Sequence, residues 1–103
     1  TPRSSSAASD VYKRQGIIGM SKSIALELAK RNVTVNCISP GFIESNMTDL
    51  LTDNQKEIIL KRIPLEIIGS PYDVSHCVNF IASDESRYIT GETIHVNGGL
   101  AML

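Results

Sequence analysis

Tryptophan is absent, and the aromatics amount to two Phe and three Tyr in 103 residues. So sparse a set offers no platform for stacking bases. Ten Lys and Arg stand against 11 Asp and Glu, for a net charge of −1. That balance gives no electrostatic basis for gripping nucleic acid or an anionic membrane. No apolar run approaches the roughly 20 residues of a membrane-spanning helix, and no signal-peptide core lies near the start. The two cysteines, Cys37 and Cys77, lack metal-ligand spacing, and each falls on the apolar face of its element. They read as small buried hydrophobes, in keeping with a reducing compartment and a cytoplasmic location. There is no glycine-rich phosphate loop and no His/Cys/Asp/Glu cluster spaced for a metal. His76 and His95 stand alone. Glu44, Glu57, Glu66, Asp84, Glu85 and Glu92 form no recognisable acid/base pair and read as solvated charges.

What is present fits one small globular domain: 42% hydrophobic and 20% charged residues. Residues 1–15, TPRSSSAASDVYKRQ, show no clear period and few core-forming side chains. They read as disordered or foreign sequence. Gly16–Arg31 has the spacing of a helix, with Ile17, Ile18, Met20, Ile24, Ala25, Leu28 and Ala29 spread over about half its circumference at 100° per residue. A face that wide implies contact with both a sheet and another helix. Asn32 is a stop signal.

Val33–Met47 organises the rest. Its alternation and β-branched residues predict a strand from Val33, ending before Pro40 because proline cannot donate to a ladder. Gly41 then allows close approach, and Phe42–Met47 forms a small mixed loop. In an open α/β sheet, ligands bind beyond the carboxyl ends of strands, so this loop is a candidate wall of a nucleotide-cofactor cleft. An ordinary Pro-Gly turn is the alternative. Thr52–Ile63 reads as a helix with Thr52 and Gln55 at capping-box spacing. Its apolar side is Ile58, Ile59 and Ile63, and it is either a mobile lid or a packed surface helix. Ser70-Pro71-Tyr72-Asp73 opens a third helix, with Val74, Cys77, Val78, Ile81 and Ala82 on one face. Thr93–Val96 is a short strand closed by Asn97-Gly98-Gly99, and Leu100–Leu103 is an apolar tail expected to dock on a surface. Two strands with helices between them imply parallel pairing and an α/β fold.

Two runs carry a resemblance. Val35-Asn36-Cys37-Ile38-Ser39-Pro40-Gly41-Phe42-Ile43-Glu44-Ser45-Asn46-Met47-Thr48 resembles the Pro-Gly segment of short-chain dehydrogenases/reductases. Tyr88-Ile89-Thr90-Gly91-Glu92-Thr93-Ile94-His95-Val96-Asn97-Gly98-Gly99 is similar to their C-terminal signature. The wording looks most like the 3-oxoacyl-acyl-carrier-protein reductases of fatty-acid biosynthesis, over residues 16–103. The resemblance implies the C-terminal part of a Rossmann-type parallel sheet fold, in the order helix, strand, helix, helix, strand. It implies a tetrameric, NADPH-dependent enzyme that reduces the β-keto group of a carrier-linked acyl chain. Pro40, Gly41 and Ile43 would lie against the nicotinamide, with the Ile43 amide near its carboxamide and Ser45 in the place of the usual threonine. Asn36 would serve structure. The helix after the loop would be a substrate lid, and the first helix, last strand and tail would be subunit interfaces.

The departures are as informative. The family's tyrosine and lysine, four residues apart, belong just before Gly16. Those places hold Asp10 and Arg14, and the residue four after Tyr12 is Gly16. Glu66-Ile67 replaces the usual Gly-Arg or Lys-Arg after Pro64-Leu65. The resemblance therefore implies no catalytic residue in this chain. The expectation is a truncated chain with a foreign extension, marginal or aggregating alone and inactive. Another short-chain alcohol dehydrogenase and a non-catalytic oligomerisation module are the alternatives.

Overall fold

The computed structural model describes residues 2–100. Its elements, in chain order, are helix α1 (Pro2–Leu28) with a 3-10 turn at Ala29–Arg31, strand β1 (Cys37–Pro40), the one-turn helix α2 (Asn46–Asp49), helix α3 (Asp53–Arg62), helix α4 (Pro71–Ile81), a 3-10 turn at Asp84–Ser86, and strand β2 (Thr93–Val96). β1 and β2 form a two-stranded sheet. The Cys37 N–H donates to the Glu92 carbonyl at 2.8 Å and the Gly41 N–H to the Val96 carbonyl at 2.9 Å. The offset advances in the same direction on both strands, so the pairing is parallel, as the helical connection required. Mixed helix and parallel strand in this order is a partial Rossmann-like arrangement.

The chain divides into two compact units, one made of the chain up to Cys37 with Arg87–Thr93, the other of Ile38–Ser86 with the chain from Ile94 on. In the first unit, α1 takes in residues 2–15, read above as disordered or foreign. The backbone there is helical. Ala, Lys, Arg and Gln in this stretch are adequate helix formers, and extending an existing helix adds one hydrogen bond per residue fixed. The helix stops where Asn32 adopts φ 59, a left-handed cap whose N–H reaches the Ala29 carbonyl.

The strand begins at Cys37, four residues later than its β-branched pattern suggested. Val33–Asn36 is held instead by mixed bonds. The Val35 N–H donates to Thr90 Oγ1, the Asn36 amide group donates to the Ile89 carbonyl, and Asn36 Oδ1 accepts from the Glu92 N–H. The Asn36 side chain thus substitutes for ladder groups, confirming its structural role. Gly91, at φ 74, turns the chain here, and a side chain on it would meet Ala25. Among the described side chains of α1, Ala25 is buried, while Ile17, Met20 and Leu26 are exposed. Cys37 is half-buried, its thiol donating to Ser21 Oγ at 3.1 Å.

In the second unit, Pro40 is the last residue of β1, not the residue after it. Cys37 and Gly41 both turn their N–H toward β2, so by strand alternation the nitrogen of Pro40 points the other way. Its missing proton costs the β1–β2 ladder nothing. Thr52 and Gln55 form the expected capping box on α3. Ser70 caps α4, and Asp73, expected only to favour the helix dipole, also completes a box by accepting the Ser70 N–H. Ile63 is the buried residue after α3, at 2% exposure, whereas Ile58 is exposed and Ile59 half-buried. Gly98, at φ 63, lets β2 turn beside Ile63, where a side chain would come within 2.8 Å of Ile63 Cγ2. Glu66 also has a left-handed φ, 58. Its position is the one for which the resemblance implies Gly or Lys, and a side chain in that region costs on the order of 1 kcal/mol. On α4 the predicted apolar face is only half covered: Val74, Cys77 and Ile81 are half-buried, Val78 and Ala82 exposed. Of the apolar tail, residues 101–103 lie outside the described residues.

Among the described residues, Ala25 and Ile63 are the buried apolar side chains, a very small core. Leu26, Met47 and Leu50 are 80%, 79% and 84% exposed. Exposed apolar surface on this scale drives association. The isolated chain is therefore expected to sediment as polydisperse oligomers at micromolar concentration, and a monodisperse monomer that melts cooperatively would contradict this.

Candidate functional site

The Pro-Gly loop is anchored at both ends by backbone. At its start, Gly41 donates to the Val96 carbonyl, and its Cα lies against Asn97. A Cβ on Gly41 would fall 2.6 Å from Asn97 Cβ and 2.9 Å from Asn97 Cα. The glycine is required by close approach of backbone, not by its φ. Two residues on, Ile43 pairs with Gly69 in an isolated parallel bridge. The Gly69 N–H donates to the Phe42 carbonyl at 2.9 Å, and the Glu44 N–H to the Gly69 carbonyl at 2.7 Å. With the groups on either side of it taken, Ile43 turns its own N–H the opposite way. That N–H has no acceptor among the described residues.

Pro40 and Ile43 share an apolar hollow of about 490 Å³ with Pro71, Val74, Ser75, Val78 and Asn79. Gly41 stands behind the loop, against Asn97. Ser45 stands apart as the N-cap of α2. Its Oγ accepts from the Thr48 N–H, while Thr48 Oγ1 accepts from the Ser45 N–H at 2.8 Å and donates to the Ser45 carbonyl at 2.9 Å. Capping uses a lone pair of the serine hydroxyl, so its proton remains available to a ligand. Of the four sequence-predicted site residues, then, Pro40 and Ile43 line one surface, Gly41 supports it, and Ser45 ends the loop.

This arrangement can bind but cannot transfer a proton. None of the four residues titrates in the physiological range, and among the described residues no group of three or more His, Cys, Asp or Glu could hold a metal. An apolar wall with an unengaged N–H and a serine O–H suits a flat ring bearing a carboxamide. The residues present therefore fit the nicotinamide end of a dinucleotide. Three contributors went unlinked to the loop in the sequence: Asn97, Gly69 and Asp73. Asn97 was visible only as the end of a strand and Asp73 only as an acid favouring the α4 dipole, whereas the approach of Asn97 to Gly41 and the bond of Asp73 to the Ser70 N–H beside Gly69 exist only in three dimensions. Thr48, the reciprocal partner of Ser45, is at capping-box spacing but carries a hydroxyl where that box favours Glu or Gln.

Replacing Gly41 with Ala is expected to lower stability by about 1–3 kcal/mol, the range for forced overpacking. The backbone of Asn97 cannot rotate out of the way as a flexible side chain would. A denaturant titration of a complete reductase carrying this chain checks this, and an unchanged midpoint would show that the loop relaxes freely.

The chain matches the family model described as enoyl-(acyl carrier protein) reductase over residues 5–101. Nodulation protein G of Rhizobium sp. (strain N33) is 57% identical over 90 residues, 87% of this chain and 37% of that protein. The 3-oxoacyl-[acyl-carrier-protein] reductase FabG of Rickettsia conorii is 54% identical over the same shares. The Staphylococcus aureus protein of that name is 53% identical over 95 residues, 92% of this chain and 39% of the relative. The chain spans under two-fifths of the length of these curated relatives. The match begins eleven residues ahead of Gly16, inside α1. Across nearly its whole length, from α1 through the Pro-Gly loop to the Asn97-Gly98-Gly99 turn, the chain belongs to the short-chain dehydrogenase/reductase family, in the group described as enoyl-(acyl carrier protein) reductase.

Proposed function

We propose that this chain is the nicotinamide-facing and C-terminal part of an NADPH-dependent reductase that converts 3-oxoacyl to 3-hydroxyacyl groups on acyl carrier protein. The observation that carries the proposal is the Ile43 amide, fixed on both sides by backbone bonds and itself unengaged. The Ile43 N–H would donate to the carboxamide of a bound nicotinamide, Ser45 would add a hydroxyl, and Pro40 and Ile43 would keep water from that side of the ring. When bound, the reduced nicotinamide supplies a hydride. Everything this chain contributes is orientation and exclusion of water. The proton donor must come from elsewhere, since no Tyr-x-x-x-Lys pair occurs in the sequence and Asp10 and Arg14 occupy its places. The chain alone is therefore inactive.

The family description names an enoyl reduction, and the relatives above half identity named as FabG name a 3-oxoacyl one. Both reactions deliver hydride to the same acyl carbon and differ in whether the proton goes to oxygen or to the neighbouring carbon. The loop that carries Pro40, Gly41, Ile43 and Ser45 serves either reaction, and the relatives' names favour the 3-oxo substrate. A homotetramer and a cytoplasmic location belong to the same reading and rest on the same likeness.

The test is a hybrid in which residues 16–103 of this chain replace the corresponding segment of the Staphylococcus aureus reductase, which keeps its own residues ahead of that point. It is expected to consume NADPH with a 3-oxoacyl thioester and not with a trans-2-enoyl thioester, while the isolated chain consumes none with either. Turnover of the enoyl thioester alone would assign the other reaction. A folded hybrid without turnover would overturn the reading.

A further inference from the structure

The peptide group joining Gly69 to Ser70 is bonded at both ends. Its carbonyl accepts the Glu44 N–H at 2.7 Å, which brackets Ile43. Its N–H, that of Ser70, donates to Asp73 Oδ2 at 2.7 Å. The peptide is planar and stiff, so whatever fixes the direction of its N–H fixes the direction of its carbonyl. A carboxylate accepting from the N–H also polarises the group and strengthens its carbonyl as an acceptor. The second bond of the bracket, from the Gly69 N–H to the Phe42 carbonyl, leaves from the other side of the same residue. Ser70 Oγ accepts the Tyr72 N–H at 2.9 Å, so the start of α4 is itself held rigid. An unbroken line of bonds runs from the Asp73 carboxylate through one peptide plane to the segment that presents the Ile43 amide.

We infer that Asp73 is a positioning residue for the nicotinamide site. Its carboxylate sets the Gly69–Ser70 peptide, and that peptide aims the Ile43 N–H. This rests on the reading of Ile43 as a carboxamide donor. Asp73 is not among the residues that line the hollow beside Pro40 and Ile43, and its position does not call for Asp specifically: a glutamate three residues after a serine cap reaches the same N–H. The requirement is a carboxylate at this place in the helix, whichever acid carries it.

The experiment compares Asp73→Ala, Asp73→Asn and Asp73→Glu in the hybrid reductase. The NADPH dissociation constant and amide hydrogen exchange are read side by side. A role confined to capping α4 would speed exchange at Ser70 and Tyr72 only. The positioning role also speeds it at Glu44, and Asp73→Ala is expected to weaken NADPH about tenfold, as for one lost charge-assisted hydrogen bond. Asp73→Glu should restore both readouts. Asp73→Asn, which keeps an acceptor without the charge and preserves the fold if the alanine variant does not, should weaken NADPH about threefold. An unchanged Glu44 amide, or NADPH affinity indifferent to all three variants, overturns the inference while leaving the nicotinamide reading intact. A folded parent hybrid that binds no NADPH overturns that reading, and this inference with it.

Discussion

The contact between Gly41 and Asn97 is the constraint on which the candidate site depends. One N–H reaches across to the Val96 carbonyl, and a bare Cα lets two backbones approach closer than any side chain would permit. β1 is only four residues long, and so is β2. Sheets this small hold their register poorly through ladder bonds alone. The close-packed Gly41 fixes where β1 stops and the loop begins. From that point Gly69 captures the very next residue, Phe42, and then Glu44 two residues later. Ile43 sits between two anchors and inherits a defined direction for its amide. Anchoring through backbone has a further consequence: side chains along the loop can vary while the N–H stays where it is.

The elements nearest to local rules were the most legible in the sequence. Thr52 and Gln55, Ser70 and Asp73, Asn32, and the strand Thr93–Val96 all stand where propensity and capping chemistry place them. The misreadings share a physical cause. Val33–Asn36 has strand-forming residues, but the Asn36 side chain takes over the bonds that a ladder would make. Pro40 looked like a strand breaker, yet which way a nitrogen points depends on register, which only pairing decides. For the site, the Pro-Gly loop was legible because glycine and proline restrict backbone directly. Its supports, Asn97, Gly69 and Asp73, were not, because nothing in their local sequence reports a neighbour more than 20 residues away.

Family membership and local geometry bear on different parts of the account. The match over residues 5–101 establishes the family. The hydrogen bonds around Ile43 say what this chain can contribute within it: a rigid amide and an apolar surface with no titrating group. Division of labour of this kind is expected where a fold places binding and proton transfer on different strands.

The most direct test follows the amide of Ile43 itself. In the hybrid reductase titrated with NADPH, the Ile43 amide resonance should shift and its hydrogen exchange should slow, while the Glu44 and Gly69 amides, already bonded, stay as they were. NADPH that binds without disturbing the Ile43 amide would contradict the account.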